Sequence, residues 1–112
     1  MNRAWAPRPS EVVLIDFNPV SGHEQANRRP AVVLSHQGFN DRLGLIVCVP
    51  VTTKLKGNPF EVMLAGLPER SAALSHQPRT LDWRARQARP FGFASAAEMQ
   101  ELRGKLAALI GA

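Results

Sequence analysis

Apolar positions in this chain fall into short β-branched runs broken by glycine and proline, and the period changes only near the C-terminus. EVVLIDF, Glu11 to Phe17, is the first run, and PAVVLS, Pro30 to Ser35, the second. A proline is tolerated at the first position of a strand. LGLIVCVPVTT, Leu43 to Thr53, is a third strand, expected to bend or bulge where Pro50 interrupts the hydrogen-bond ladder. PFEVML, Pro59 to Leu64, alternates as a half-buried strand does. Weaker runs cover Ala72 to Ser75, Thr80 to about Arg86, and Arg89 to Phe93. Ser95 and Glu98 then form the S-x-x-E box that starts a helix, and Met99, Leu102, Leu106, Leu109 and Ile110 share one helical face.

Five to seven short strands followed by one helix predict a mainly β fold, a small barrel or curled sheet with a C-terminal α-helix. That helix covers one side or end of the barrel, or contributes to a dimer contact. Residues 1–9, where Pro7 and Pro9 flank Arg8 without any periodicity, are expected to form a flexible arm. Residues 10–112 then form a single domain. A chain of 112 residues supports one modest core and no second one.

Charge adds one preference. The formal net charge of +5 favours a polyanionic partner, although basic residues also simply solubilise small domains. Cys48 is the only cysteine, which excludes an internal disulfide and a thiolate metal cluster; in LIVCVPV it reads as a small buried hydrophobe. No apolar run approaches the roughly 18 residues of a membrane span, and the N-terminus has no signal-peptide core, so a cytoplasmic protein is expected. His23, His36 and His76 are widely separated and have no i,i+4 partner, so no metal or cofactor is expected.

Three segments could carry chemistry. In GHEQANRRPAVVL, residues 22–34, Glu24, Arg28 and Arg29 precede a buried-looking strand. In VPVTTKLKGNPF, residues 49–60, two threonines end a strand and are followed by Lys54 and Lys56. Hydroxyls and ammonium groups at a strand mouth suit a phosphodiester, and they equally suit a β-forming Thr pair beside a wet hairpin. In SHQPRTLDWRARQAR, residues 75–89, Arg84 and Arg86 would share one strand face, with Trp83 on the other. Basic groups interleaved with an aromatic bind single-stranded nucleic acid, or else line a solvent face above a core tryptophan. If the three segments converge, RNA cleavage without metal is the economical chemistry, because the ribose 2′-hydroxyl is an internal nucleophile. Glu24, Arg29 and Thr52 could take the 2′ proton, stabilise the phosphorane charge and protonate the leaving 5′ oxygen.

These segments resemble the MazF/PemK toxins, sequence-specific endoribonucleases of bacterial toxin–antitoxin pairs. The resemblance rests on DFNPVSGHEQANRRPAVVLS (16–35), CVPVTTKLKGNPFEV (48–62) and LDWRARQAR (81–89), and extends from about residue 10 to the C-terminus. It implies an SH3-like β-barrel of the MazF/CcdB type, a homodimer whose groove takes single-stranded RNA, and an antitoxin partner that covers the groove with an extended tail. It implies metal-independent cleavage leaving a 2′,3′-cyclic phosphate and a 5′-hydroxyl. Arg29 and Thr52 match the family's catalytic Arg and Thr, and Glu24 matches a Glu implicated in many members. RNA contact is expected at Phe17, Asn40, Thr53, Lys56, Gln77, Arg79 and Arg86. Two departures stand out. The first strand opens on Ser10-Glu11 and carries Leu14, where the family has Gly-Asp and a Trp. The usual Ala-Asp-Gln is replaced by Ser75-His76-Gln77, followed by Pro78, which puts base preference in doubt. A non-catalytic relative of the same fold, of the gyrase-poisoning type, is the alternative.

Overall fold

The computed structural model describes residues 5–17 and 28–112. In chain order its elements are β1 (Glu11–Asp16), β2 (Arg28–Val33), α1 (Gln37–Leu43), β3 (Leu45–Thr52), β4 (Glu61–Leu64), β5 (Ser71–Leu74), β6 (Arg79–Asp82), β7 (Arg89–Phe93) and α2 (Ala96–Ile110). The strands run β4-β5-β3-β2-β1-β7, and β6 also pairs with β3. β3 serves two neighbours on one edge. Its residues Leu45 to Cys48 pair with β6, whereas Val51 and Thr52 pair with β5. The change of partner falls at Pro50, which has no N–H to give a ladder. The expected bulge is not seen there, since the register with β2 runs regularly up to Pro50; the proline marks instead where the other edge of the strand leaves one neighbour for the next.

The strand path curls so that the segment following β4 packs against β7, without pairing of the two end strands. A Cβ on Gly66, just after β4, would lie 2.9 Å from the Phe93 carbonyl oxygen, and one on Gly92 would lie 2.8 Å from Leu67 Cδ2. At Gly66 the neighbour is backbone and only glycine admits the approach, whereas at Gly92 it is a leucine side chain that can shift; the result is a half-barrel.

Alternation along the strands makes two cores. Val12, Val32, Val49, Val51, Val62, Leu64 and Ala73 face one way, against Met99 and Leu102 of α2. Val13, Ile15, Ala31, Val33, Ile46, Cys48 and Leu81 face the other way, with Ala6 and Trp83. Each such fully buried aliphatic contributes about 1.5–3 kcal/mol. α2 begins with the expected box: Glu98 N donates to Ser95 Oγ (3.1 Å) and Ser95 N to Glu98 Oε1 (2.8 Å). Its other carboxylate oxygen accepts Ala65 N at 2.9 Å, and Lys105 donates to the Pro59 carbonyl. The helix is thus fastened beside both ends of the edge strand β4, which keeps that edge from pairing elsewhere. Only its first turns bury their apolar face, since Leu109 and Ile110 are exposed. Among the described residues no helix is long and apolar enough to cross a membrane.

Several expectations change. α1 has no apolar period and no side-chain cap, and it is held by tertiary bonds to Asn40. Asn40, expected to contact RNA, is 0% exposed. Its Nδ2 donates to the carbonyls of Pro7 (2.8 Å) and Ser35 (3.0 Å), and its Oδ1 accepts from Ser35 Oγ (2.6 Å). Its carbonyl also accepts Trp83 Nε1 at 2.8 Å. The described part of the expected arm is packed: Ala6 and Pro7 are buried, and the Trp5 ring meets Trp83 edge-on at 5.6 Å.

The strand expected to reach Arg86 stops at Asp82, whose carboxylate accepts Ala85 N and closes a turn. Arg84 and Arg86 therefore share no strand face. Arg84 lies 4.6 Å over the Trp83 ring and pairs with Asp41 at 3.3 Å. Arg86, expected to bind RNA, instead donates to the carbonyls of Asp16 (3.2 Å) and Phe17 (3.1 Å).

The departure at Ser10-Glu11 has a structural cost. Ser10 has φ 73°, a left-handed conformation suited to the Gly that the resemblance expects there. Ser10→Gly should stabilise the protein by about 0.5–1 kcal/mol, read as a rise in urea midpoint at unchanged slope. Burial raises the pKa of Glu11, opposed in part by N–H bonds from Arg8 and Trp5. Because the folded value is raised, Glu11's contribution is complete at low pH and is lost as pH rises through that value. The stability difference between wild type and Glu11→Gln should therefore move in favour of Gln as pH rises above the ordinary carboxylate range.

Candidate functional site

The second core face leads directly to an open groove. Ala31 of β2 pairs with Pro50 of β3, antiparallel. The ladder ends there, and Arg29, two residues before Ala31, and Thr52, two after Pro50, line one hollow just beyond it. Period 2 keeps Arg29 on the face of Ala31, and Thr52 on that of Cys48 and Pro50. Buried side chains give way there to exposed Arg29 and half-buried Thr52. The space above them is a hollow of about 300 Å³ lined by Phe17, Arg29, Pro50, Val51, Thr52, Leu74, Gln77 and Arg79. A second hollow of about 230 Å³ shares Thr52, Leu74 and Gln77 with it and adds Lys54, Lys56, Asn58, Glu61 and His76. The two form one continuous groove.

Its chemistry favours an anion. Arg29, Arg79, Lys54 and Lys56 line it, and the one carboxylate among its described lining residues, Glu61, accepts the backbone N–H groups of Lys56 (2.8 Å) and Gly57 (2.9 Å). Thr52 Oγ1 accepts Lys54 N at 3.0 Å, so its own O–H hydrogen can donate into the groove. The Arg79 guanidinium lies 5.0 Å over the Phe17 ring, a flat pair that suits stacking. His76 packs on Phe60 with ring centroids 5.0 Å apart, and its shielded Nδ1 has no hydrogen-bond partner. Ser75 is taken up structurally, its hydroxyl donating to the Phe60 carbonyl at 2.7 Å. Cys48, below the groove, has its pKa pushed up to about 12 by burial, which the charges of Arg79 and Arg86 only partly oppose, so its thiol stays protonated.

Six of the expected site residues, Phe17, Arg29, Thr52, Lys56, Gln77 and Arg79, come together here. Thr53 does not: it points to the opposite face, where a hollow of about 70 Å³ holds it with Pro30 and Phe91. Asn40 and Arg86 serve the fold, as described above. Glu24 and its neighbour His23 lie outside the described residues. Among the described residues no three His, Cys, Asp or Glu side chains gather where they could hold a metal ion. A larger hollow of about 460 Å³ lies by Met63, Leu67, Arg70 and Glu98, and it contains none of the expected residues. Pro50 and Leu74, the groove's apolar floor, were not singled out from sequence; the alternation Cys48, Pro50, Thr52 is the signal that marks the first of them.

Comparison with known proteins gives this groove a lineage. The family described as PemK-like, MazF-like toxin of type II toxin-antitoxin system matches residues 8–110. The chain belongs to that family. Endoribonuclease toxin MazF of Escherichia coli K12 is 42% identical over 107 residues, 96% of each chain. Endoribonuclease MazF9 of Mycobacterium tuberculosis is 39% identical over 105 residues, 85% of this chain and 88% of its own. Among solved structures, MazF from Deinococcus radiodurans superposes with a TM-score of 0.86 at 43% identity, over 97% of this chain and 100% of its own. The MazE–MazF complex from that organism gives a TM-score of 0.85 at 38% identity, covering 96% and 98%. The half-barrel with a C-terminal helix is thus the PemK/MazF architecture.

Proposed function

We propose that this chain is the toxin of a type II toxin–antitoxin pair, an endoribonuclease that cuts single-stranded RNA at a short sequence motif. The observation that carries this reading is the groove that Arg29 and Thr52 line together among cations, in a chain 42% identical to a MazF endoribonuclease. The ribose 2′-oxygen attacks phosphorus, the P–O5′ bond breaks, and the products are a 2′,3′-cyclic phosphate and a free 5′-hydroxyl. Glu24 takes the 2′ proton. Arg29 stabilises the phosphorane charge with its guanidinium and passes a proton to the leaving 5′ oxygen, regaining it from solvent. Thr52 donates its hydroxyl to a phosphoryl oxygen. Lys54 and Lys56 neutralise flanking phosphates, and Phe17, Gln77 and Arg79 receive bases. The ribose supplies the nucleophile, so the reaction runs without metal.

The working form is a cytoplasmic homodimer. Exposed Phe93, Leu109 and Ile110 are apolar surface that suits burial against a second copy. An antitoxin chain covers the groove, in keeping with the MazE–MazF complex of the 38% identical relative. Mixed-sequence RNA incubated with the protein in EDTA should break into discrete fragments bearing 5′-hydroxyl ends. Intact RNA, together with altered DNA supercoiling by gyrase in a parallel assay, would replace this reading with that of a gyrase-poisoning toxin.

A further inference from the structure

We propose that the turn at residues 83–88 is a clamp that positions Phe17 and Arg29 in the groove, with Arg28, Arg86 and Gln87 as positioning residues. Neither hollow of the groove is lined by any of these three. Their polar atoms are directed instead at the two ends of the β1–β2 connection. At one end Arg86 works twice: its carbonyl accepts Asp16 N at 3.2 Å, and its Nη1 donates to the carbonyls of Asp16 (3.2 Å) and Phe17 (3.1 Å). At the other end Arg28 grips Gln87 with a fork, Nη1 on the carbonyl and Nη2 on the side-chain Oε1, both at 2.7 Å. Gln87 presents both oxygens to that fork from a left-handed backbone, φ 53°, where a residue other than glycine is strained. Strain of this kind persists only where the surroundings hold it.

The turn is itself tied to the core. Ala88 N donates to the Trp83 carbonyl at 3.0 Å, and buried Trp83 donates its Nε1 to Asn40. Phe17 lies in the groove, and Arg29 directly follows Arg28. One rigid turn therefore fixes the chain at a stacking residue and beside the principal cationic one. The fork is a planar geometry that lysine cannot reproduce, although lysine keeps the charge. That difference separates a clamp from a pair of arginines that merely attract RNA.

The kinetic arm of the test rests on the endoribonuclease reading, and the spectroscopic arm does not. Wild type, Arg28→Lys, Arg86→Lys and Gln87→Gly are compared for cleavage rate at saturating RNA and for RNA affinity across a salt series. Gln87→Gly keeps the carbonyl acceptor while removing both the side-chain bond and the backbone strain. The clamp predicts a rate loss of about ten- to a hundred-fold in Arg28→Lys and Gln87→Gly, with the salt slope unchanged and affinity falling far less than the rate. It also predicts that combining those two substitutions costs little more than either alone. Lysine variants that keep full rate, or a Gln87→Gly variant that does, overturn it, as does weakened binding at unchanged rate. In the unliganded protein the Phe17 amide and the Arg29 Nε–Hε resonances should shift or broaden in the variants while the rest of the spectrum shows the fold retained. Resonances identical to wild type overturn the clamp even if the wild-type protein proves inert on RNA, a result that would by itself count against the endoribonuclease reading alone.

Discussion

Arg29→Ala is expected to lower RNA cleavage by about 10³-fold while the protein stays folded, the loss typical of removing a preorganised charge stabiliser that also serves as acid. The side chain is exposed at the groove wall and supports no core contact, so the thermal midpoint should hold. Arg29→Lys keeps a charge but loses the planar set of donors and should recover only a small part of the rate. Thr52→Ala removes a single hydroxyl donor and should cost about 10²-fold, whereas Thr52→Ser should retain most of the activity. Cleavage assays on one RNA, with circular dichroism melts alongside, check all four variants. Full activity in both alanine variants would reject the assignment of these residues.

Asn40→Ala is expected to have the largest effect on stability, about 2–4 kcal/mol. The side chain is 0% exposed and joins three parts of the chain: the N-terminal segment through the Pro7 carbonyl, the end of β2 through Ser35, and α1 itself. Alanine would leave the Pro7 and Ser35 carbonyls without this donor in a space closed to water. It would also release the segment that carries Trp5 against Trp83. Urea denaturation should show a lower midpoint at nearly unchanged slope. An unchanged midpoint with weakened RNA binding would instead restore Asn40 as an RNA contact.

The strands and the last helix are legible in the sequence because their cause is local. Val12 to Ile15, Ala31 to Val33 and Ile46 to Val51 are β-branched runs whose alternate members fill two different cores. The Ser95–Glu98 box marks the start of α2 to the residue. α1 was missed because its stability comes from Asn40 bonds to distant segments, which leave no period in QGFNDRL. The strand through Trp83 was overextended because Arg84 and Arg86 imitate alternation, while the Asp82 side chain closes a turn by bonding Ala85 N. In the groove, Arg29 and Thr52 are far apart in sequence, and the antiparallel pairing of β2 with β3 brings them to one hollow. Thr52 and Thr53 are chemically alike, and only strand geometry separates them: one lines the groove, the other a hollow on the reverse face. The arginine pairs divide in the same way. Arg29 and Arg79 face the groove, while Arg28 and Arg86 are engaged with backbone and amide oxygens.

The central claim is that this groove cuts RNA by using the substrate's own 2′-hydroxyl. Once the cut site has been mapped on a long RNA, two synthetic oligonucleotides carrying it decide the matter in EDTA. One is all ribose, and the other has a single 2′-deoxy nucleotide on the 5′ side of the scissile bond. The all-ribose strand should be cut to a 2′,3′-cyclic phosphate and a 5′-hydroxyl end, and the substituted strand should remain whole. Cleavage of the deoxy-substituted strand at that bond, or products carrying a 5′-phosphate, would contradict the account.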